Sequence, residues 1–261
     1  MRFRTVFEAG IVISAVLATN PTARAQGPQD APISTDVRDA LTRMSKTLLA
    51  NDFSFQSNTL RAYAGPTGEL LHIVHKTKII VRRPDRLLVD AAGDDGTTKM
   101  FYDGIDLTIY GAEAKQYARI PVSGNIQEMV DAAEARLGID MPLADFLSND
   151  PDKSLLAGVT SGGQVGMATI DGVRCRHFFF IQSPDLELEL WLEDNDKALP
   201  RRLFVTYQSL PGRPSFFAEL SNWDFSSHHP DTDFVFQPPA GVAQVELASR
   251  SGISSSPPAA K

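Results

Sequence analysis

Four of the five histidines come in two pairs, and the spacing within each pair decides what metal chemistry it could do. His72 and His75 stand three apart in HIVHKTKIIV, an alternating pattern that reads as a strand. They therefore point to opposite faces and cannot hold one ion together. His228 and His229 are adjacent, with Asp224, Asp231 and Asp233 close by, and imidazole with carboxylate suits zinc or nickel. Adjacent loop residues rarely converge on an ion without a third ligand, however, and SSHHPDTD reads equally as a solvated turn. Cys175 lies between Arg174 and Arg176, whose charges could lower a thiol pKa. On a strand it would share its face with Val173, His177, Phe179 and Ile181 while both arginines point away, which favours a buried, inert thiol. Asp185, Glu187 and Glu189 offer acid–base groups. All three sit on one face of one strand, alternating with leucines, which is the pattern of a wetted sheet face. A glycosidase pair needs two carboxyls facing each other across a cleft, and one strand does not supply that.

Nucleophile and phosphate signatures are missing from the sequence. It has no G-x-S-x-G elbow. Ser161-Gly162-Gly163 lacks both the lysine and the helix of a phosphate-binding loop, and no dinucleotide fingerprint occurs. The expectation is a protein that is not an enzyme and uses no cofactor. What remains is a set of apolar rows: Leu107 and Ile109; Leu186, Leu188, Leu190 and Leu192; Leu203, Val205 and Tyr207. Their first role is core, where each fully buried leucine contributes about 1.5–3 kcal/mol. Their functional reading is that part of the set lines a ligand cavity.

The elements that would position these rows are mostly strands. A helix over about 35–50 carries Val37, Leu41, Met44, Leu48 and Leu49 on one stripe. From Phe53 the period changes to two, which predicts strands at 53–63, 69–82, 86–91 and 115–121. Asp103-Gly104 between KMFY and IDLTIY predicts a two-residue hairpin pairing Tyr102 with Ile105 and Met100 with Leu107. That register puts Met100, Tyr102, Ile105, Leu107 and Ile109 on one face. Residues 125–137 return to helical spacing with Gly138 as the stop, and a second short helix is expected over about 142–148. Strands then resume at 173–181, 185–192, 201–208, 215–225 and 233–236. Ten or so short antiparallel strands with two or three helices predict a mainly β domain of α+β type, a curved sheet with helices over one face.

The N-terminus reads as a secretory signal. Arg2 and Arg4 precede the short apolar run Ile11–Ala18, and Ala23-Arg24-Ala25 offers a cleavage point before Gln26. The run is short of the roughly 20 residues a spanning helix needs. No cysteine lies at the cleavage point for lipid attachment. The expected organisation is a signal peptide over 1–25, a flexible lead-in over 26–33, one β domain over 34–248 and a disordered tail over 249–261. Of 25 basic and 32 acidic residues, removing Arg2, Arg4, Arg24 and Glu8 leaves 22 and 31, a net charge near −9. Such a chain is a poor partner for nucleic acid or anionic lipid. With one cysteine it forms no internal disulfide, so a packed core must hold it together.

Five segments together resemble a known family: RPDRLLVD (83–90), FYDGIDLTIY (101–110), DGVRCRHFFF (171–180), LELWLEDNDKALPRRLFVTY (188–207) and FVFQPPAGVAQVEL (234–247). In this order they are similar to a family of exported bacterial proteins of unknown function. The fold of that family resembles the periplasmic lipoprotein carrier LolA and its outer-membrane receptor LolB. The resemblance implies an unclosed, strongly curved β-barrel whose helices form a lid over an apolar concavity, which in the carriers accepts acyl chains. No position matches by motif the arginine with which the carriers grip ligand, so no ligand-binding residue is carried over. Three functions follow as expectations. The first is a periplasmic binding or carrier protein for an apolar group such as an acyl chain, making transient membrane contact. The second is an envelope scaffold docking a protein through sheet edges or Trp191 and Trp223. The third is a hydrolase with an unfamiliar site.

Overall fold

The computed structural model describes residues 33–65 and 67–247. The expected signal segment, nearly all of the lead-in and the tail from 249 lie outside the described residues. Helix α1 (Thr35–Leu48) opens the domain, with Val37, Leu41, Met44 and Leu48 fully buried, as a stripe at three- and four-residue spacing requires. Strands β1 (Asp52–Ala64), β2 (Leu70–Arg82), β3 (Arg86–Gly93), β4 (Gly96–Tyr102), β5 (Asp106–Gly111) and β6 (Gln116–Pro121) then form one meander. Helix α2 (Ile126–Leu137), a 3-10 turn (Ala144–Leu147) and helix α3 (Pro151–Leu156) lead to a second meander. It comprises β7 (Val159–Ile170), β8 (Val173–Gln182), β9 (Leu186–Glu193), β10 (Pro200–Tyr207) and β11 (Ser215–Asp224). A two-residue strand, β12 (Ala243–Gln244), joins β6 in parallel.

Antiparallel pairing of β1 with β11 fuses the two meanders into one twelve-stranded sheet, ordered β12-β6-β5-β4-β3-β2-β1-β11-β10-β9-β8-β7. Its outer strands, β12 and β7, do not pair with each other, so the barrel is unclosed. In a flat sheet β5 and β8 would stand roughly 40 Å apart. Here their inner faces belong to one hydrophobic cluster with α1 and α2, because the sheet bends around its helices.

The topology explains why helices lie on the inner face. The chain leaves β6 near one edge and must reach β7 at the other, and its connection, residues 122–158, crosses the concavity. Helix α2 is fixed over the β4 side: Tyr102 Oη donates to Gly124 O at 2.7 Å, and Ile126 N donates to Pro84 O at 2.9 Å. Helix α1 is fixed over the β8–β10 side, where Arg176 Nη1 donates to Asp36 O at 3.4 Å and Thr47 Oγ1 to Lys197 O at 2.8 Å. Arg83 joins the two parts of the cover, donating from Nε to Leu48 O at 3.2 Å and from Nη1 to Leu147 O at 2.9 Å.

Five expectations need correction. Leu49, expected on the apolar stripe of the first helix, is the C-cap of α1 and 44% exposed. The hairpin register is two residues off: Tyr102 pairs with Leu107 and Met100 with Ile109. Asp103 Oδ1 accepts from the backbone N–H groups of Ile105 and Asp106 at 3.0 and 2.8 Å, so its side chain holds a longer turn. Ile105 is consequently 65% exposed rather than on the inner face. The expected strand 233–236 is a 3-10 helix (Asp231–Phe234) and a non-strand continuation. Its aromatics pack on the outer face, where Phe236 meets Phe101, Tyr110 and Tyr117 at centroid distances of 5.0–5.3 Å. The short helix expected over 142–148 is the 3-10 turn, and α3 follows it unpredicted. Strand β7 was also unpredicted, because Gly162, Gly163 and Gly166 erase its apolar alternation and only pairing with β8 makes it a strand.

Candidate functional site

Bulk runs out on the inner face in the middle of the sheet. Along β1 the inward residues are Phe53, Phe55, Ser57, Thr59 and Arg61, as their pairing with Val81, Ile79, Thr77, His75 and Ile73 of β2 shows. Ser57 is followed across the sheet by Thr77 and Ala91, a row of short side chains over three strands. The neighbouring row is Phe55, Ile79, Val89, Met100 and Ile109. Opposite this step in height lie residues 140–147, an irregular strap that cannot fill space as a helix face does. A cavity of about 260 Å³ remains between them. Its apolar side is Ile79, Leu87, Val89, Met100, Met141 and Leu143, and its polar side is Ser57, Thr59, Thr77, Arg61, His75 and Asp140.

The strap is held over the cavity at its far end by Arg83 on Leu147 O and at its near end by one carboxylate. Asp140 Oδ2 accepts from Arg61 Nη1 at 2.8 Å and from Tyr207 Oη at 2.7 Å. Burial, reinforced by the Asp140 carboxylate, pushes the Tyr207 phenol well above its ordinary range, so it donates at any physiological pH. Arg61 also lies over the Phe216 ring, 5.3 Å from its centroid. His75 Nε2 stands 2.6 Å from Asp95 Oδ1.

The nine residues expected to line a hollow occupy the same inner face. Leu107, Leu188, Leu190, Leu192, Leu203 and Val205 are buried in the core, and Ile109, Leu186 and Tyr207 are half-buried against it. None of the nine is among the residues lining the cavity; Tyr207 reaches it through Asp140. The lining was missed for a physical reason: long apolar rows fill space, whereas a hollow lies where a row turns short. The readable signal was the change from phenylalanine to serine and threonine along the inward positions of β1.

The other chemistry-bearing residues are dispersed. His72 and His75 are on opposite faces of β2, as the strand requires. His228 Nδ1 is 3.0 Å from Asp52 Oδ2, and His229 Nδ1 is 3.1 Å from Asp233 Oδ2. Asp224 accepts from Ser226 and Ser227, whose hydroxyls and N–H groups hold its carboxyl well below the usual range. Cys175 is completely buried, and burial pushes its thiol pKa up. Glu189 lies 2.7 Å from His177 Nε2, and the His177 ring stacks on Trp191 at 4.0 Å. Trp223 stacks on Phe55 at 4.3 Å and donates from Nε1 to Pro200 O at 3.1 Å, so it packs inward.

Solved structures similar to this chain share little sequence with it. An uncharacterized conserved protein from Thermus thermophilus has 9% identity and a TM-score of 0.48, over 81% of this chain and 99% of that one. The Mycobacterium tuberculosis lipoprotein LppX has 14% identity and a TM-score of 0.45, over 75% and 99%. A LolA superfamily protein from Nitrosomonas europaea has 10% identity and a TM-score of 0.41, over 76% and 97%. The comparison with curated proteins found no match. The family described as "Predicted periplasmic protein (DUF2092)" matches residues 38–248, which is nearly the whole β domain from α1 to β12, and the chain belongs to that family.

Proposed function

We propose that this is a non-enzymatic periplasmic binding or carrier protein that shelters an apolar group, such as an acyl chain, in the cavity beneath residues 140–147. The observation that carries the reading is the cavity itself, about 260 Å³ walled largely by Ile79, Val89, Met100 and Leu143. An apolar cavity of about 150 Å³ holds benzene, so this one suits a body of about ten carbon-sized atoms. A longer chain would continue past Phe216 to its cross-strand partner Val205 and on to Tyr207 and Leu186, with Leu107, Ile109, Leu188, Leu190, Leu192 and Leu203 as the packed wall beside it. Residues 1–25 would export the chain and be removed after Ala25. Native mass spectrometry of protein purified from the periplasm should show an adduct of lipid mass, and the protein should bind a fluorescent apolar reporter. Ligand-free protein that also fails to bind the reporter would end this reading.

One observation favours a second reading, an envelope scaffold. Strand β7 is an edge of the sheet over twelve residues, with Val165 and Met167 exposed. A free strand edge accepts another strand through backbone hydrogen bonds. A photo-crosslinking residue in place of Val165 should then capture one reproducible envelope protein in cells. Recovery of the monomer alone would remove this reading.

A further inference from the structure

The cavity floor carries hydroxyls that a purely greasy hollow does not need. Ser57 and Thr77 stand directly opposite each other on β1 and β2, and Thr59 follows two residues along the same face. Ser57 is 2% exposed, and its Oγ has no hydrogen-bond partner among the described residues. A buried hydroxyl left unpaired is destabilising, while alanine at that position would leave no polar atom to satisfy. The hydroxyl therefore points to a partner that enters the cavity. Charge at the cavity, by contrast, is already matched. Arg61 is neutralised by Asp140 at 2.8 Å, and His75 faces Asp95 at 2.6 Å. An incoming carboxylate or ammonium would have to break one of these pairs or go without a counter-ion, whereas an uncharged acceptor needs neither.

We infer that the cavity selects a hydrocarbon bearing an uncharged carbonyl, an ester or an amide, with the carbonyl oxygen at the Ser57 and Thr77 hydroxyls. The hydrocarbon then lies against Ile79, Val89, Met100 and Leu143. This inference rests on the proposed binding role of the cavity and names the ligand class. Free fatty acids, which present a carboxylate at neutral pH, are the wrong class, and so are plain alkanes.

The test uses the purified full chain and three probes of similar length: methyl decanoate, undecane and decanoate, each competing with a fluorescent apolar reporter. Methyl decanoate should bind about tenfold tighter than either of the others, the worth of one well-placed hydrogen bond. Ser57→Ala should erase the preference for the ester over the alkane and leave alkane binding unchanged or tighter. Thr77→Val, nearly the same shape, should reduce the same preference independently, and unchanged circular dichroism would show that both variants fold. Equal binding of ester and alkane, tightest binding of decanoate, or an intact ester preference in Ser57→Ala would overturn the inference while leaving a binding cavity in place. No binding of any probe or of the reporter would overturn the binding role and this inference together.

Discussion

Tyr102 sits fully buried at the inner face of β4, and its hydroxyl donates to Gly124 O at the entry to α2. Burial, with the nearby charges of Asp85, Glu128 and Asp103, raises its pKa from 10.0 to about 12. The folded state thus keeps a proton that the unfolded chain gives up near pH 10. Below pH 10 both states are protonated and the phenol adds no pH dependence. Between pH 10 and 12 the unfolded state binds fewer protons, so stability falls as pH rises, by up to about 1.4 kcal/mol per pH unit for one group. Tyr102→Phe should lower stability at neutral pH by about 1 kcal/mol through the lost hydrogen bond. It should also make the alkaline loss shallower, as urea midpoints between pH 7 and 12 would show. Tyr207, raised in the same direction, leaves part of the slope in place. An unchanged alkaline slope in the variant would show that Tyr102 does not carry it. At this scale the sequence was partly legible. The burial of Cys175 and the separation of His72 from His75 follow from strand parity. The partners of Asp140, by contrast, come from strands 79 and 67 residues away in the chain, and no local pattern encodes them.

Helix α2 shows what a local sequence can specify completely. Asn125 Oδ1 accepts from Glu128 N at 3.0 Å, Glu128 Oε2 accepts from Asn125 N at 2.7 Å, and Gly138 ends the helix at φ 68°. These reciprocal bonds satisfy donors that the first helical turn leaves free. Asn125→Ala should cost about 1 kcal/mol of stability, within the roughly 0.5–2 kcal/mol range of such caps. Denaturant unfolding would measure it, and a change near zero would mean that contacts with Pro84 and Tyr102 hold the helix start without its cap. Helices α1 and α2 and most strands were legible because their apolar periods are strong. Strand β7 was not, since a glycine-rich edge acquires its conformation from β8. The strap over residues 140–147 was legible only as a short helix, because its place is set by Arg61, Tyr207 and Arg83 rather than by its own period.

At the scale of the molecule, an open antiparallel sheet with helices on one face was readable from alternating strands punctuated by two helical stretches. Which strands flank which was not. The pairing of β1 with β11 joins Ser57 to Leu220, and nothing near either residue announces the other. The same sheet order explains why a hollow sits near the centre. The strands around it, β1 to β4, abut the meeting line of the two meanders at β1, Phe216 of β11 closes that side, and the cover above is the connection that had to cross from one edge to the other.

That meeting line also governs how the chain can be assembled. Each meander closes through short hairpins, but the seam between β1 and β11 must bring together segments separated by most of the domain, and pairings so distant in sequence form slowly. Most of the chamber's lining lies on β1 to β4 and residues 140–147, while Phe216 lies on β11 and Tyr207, which holds Asp140, on β10. A nascent or truncated chain that stops short of β10 would carry nearly every lining residue, yet present β1 as an open strand and leave the Asp140 carboxylate without its phenol partner. Completion of the chamber is thus the last contribution of the second half of the chain.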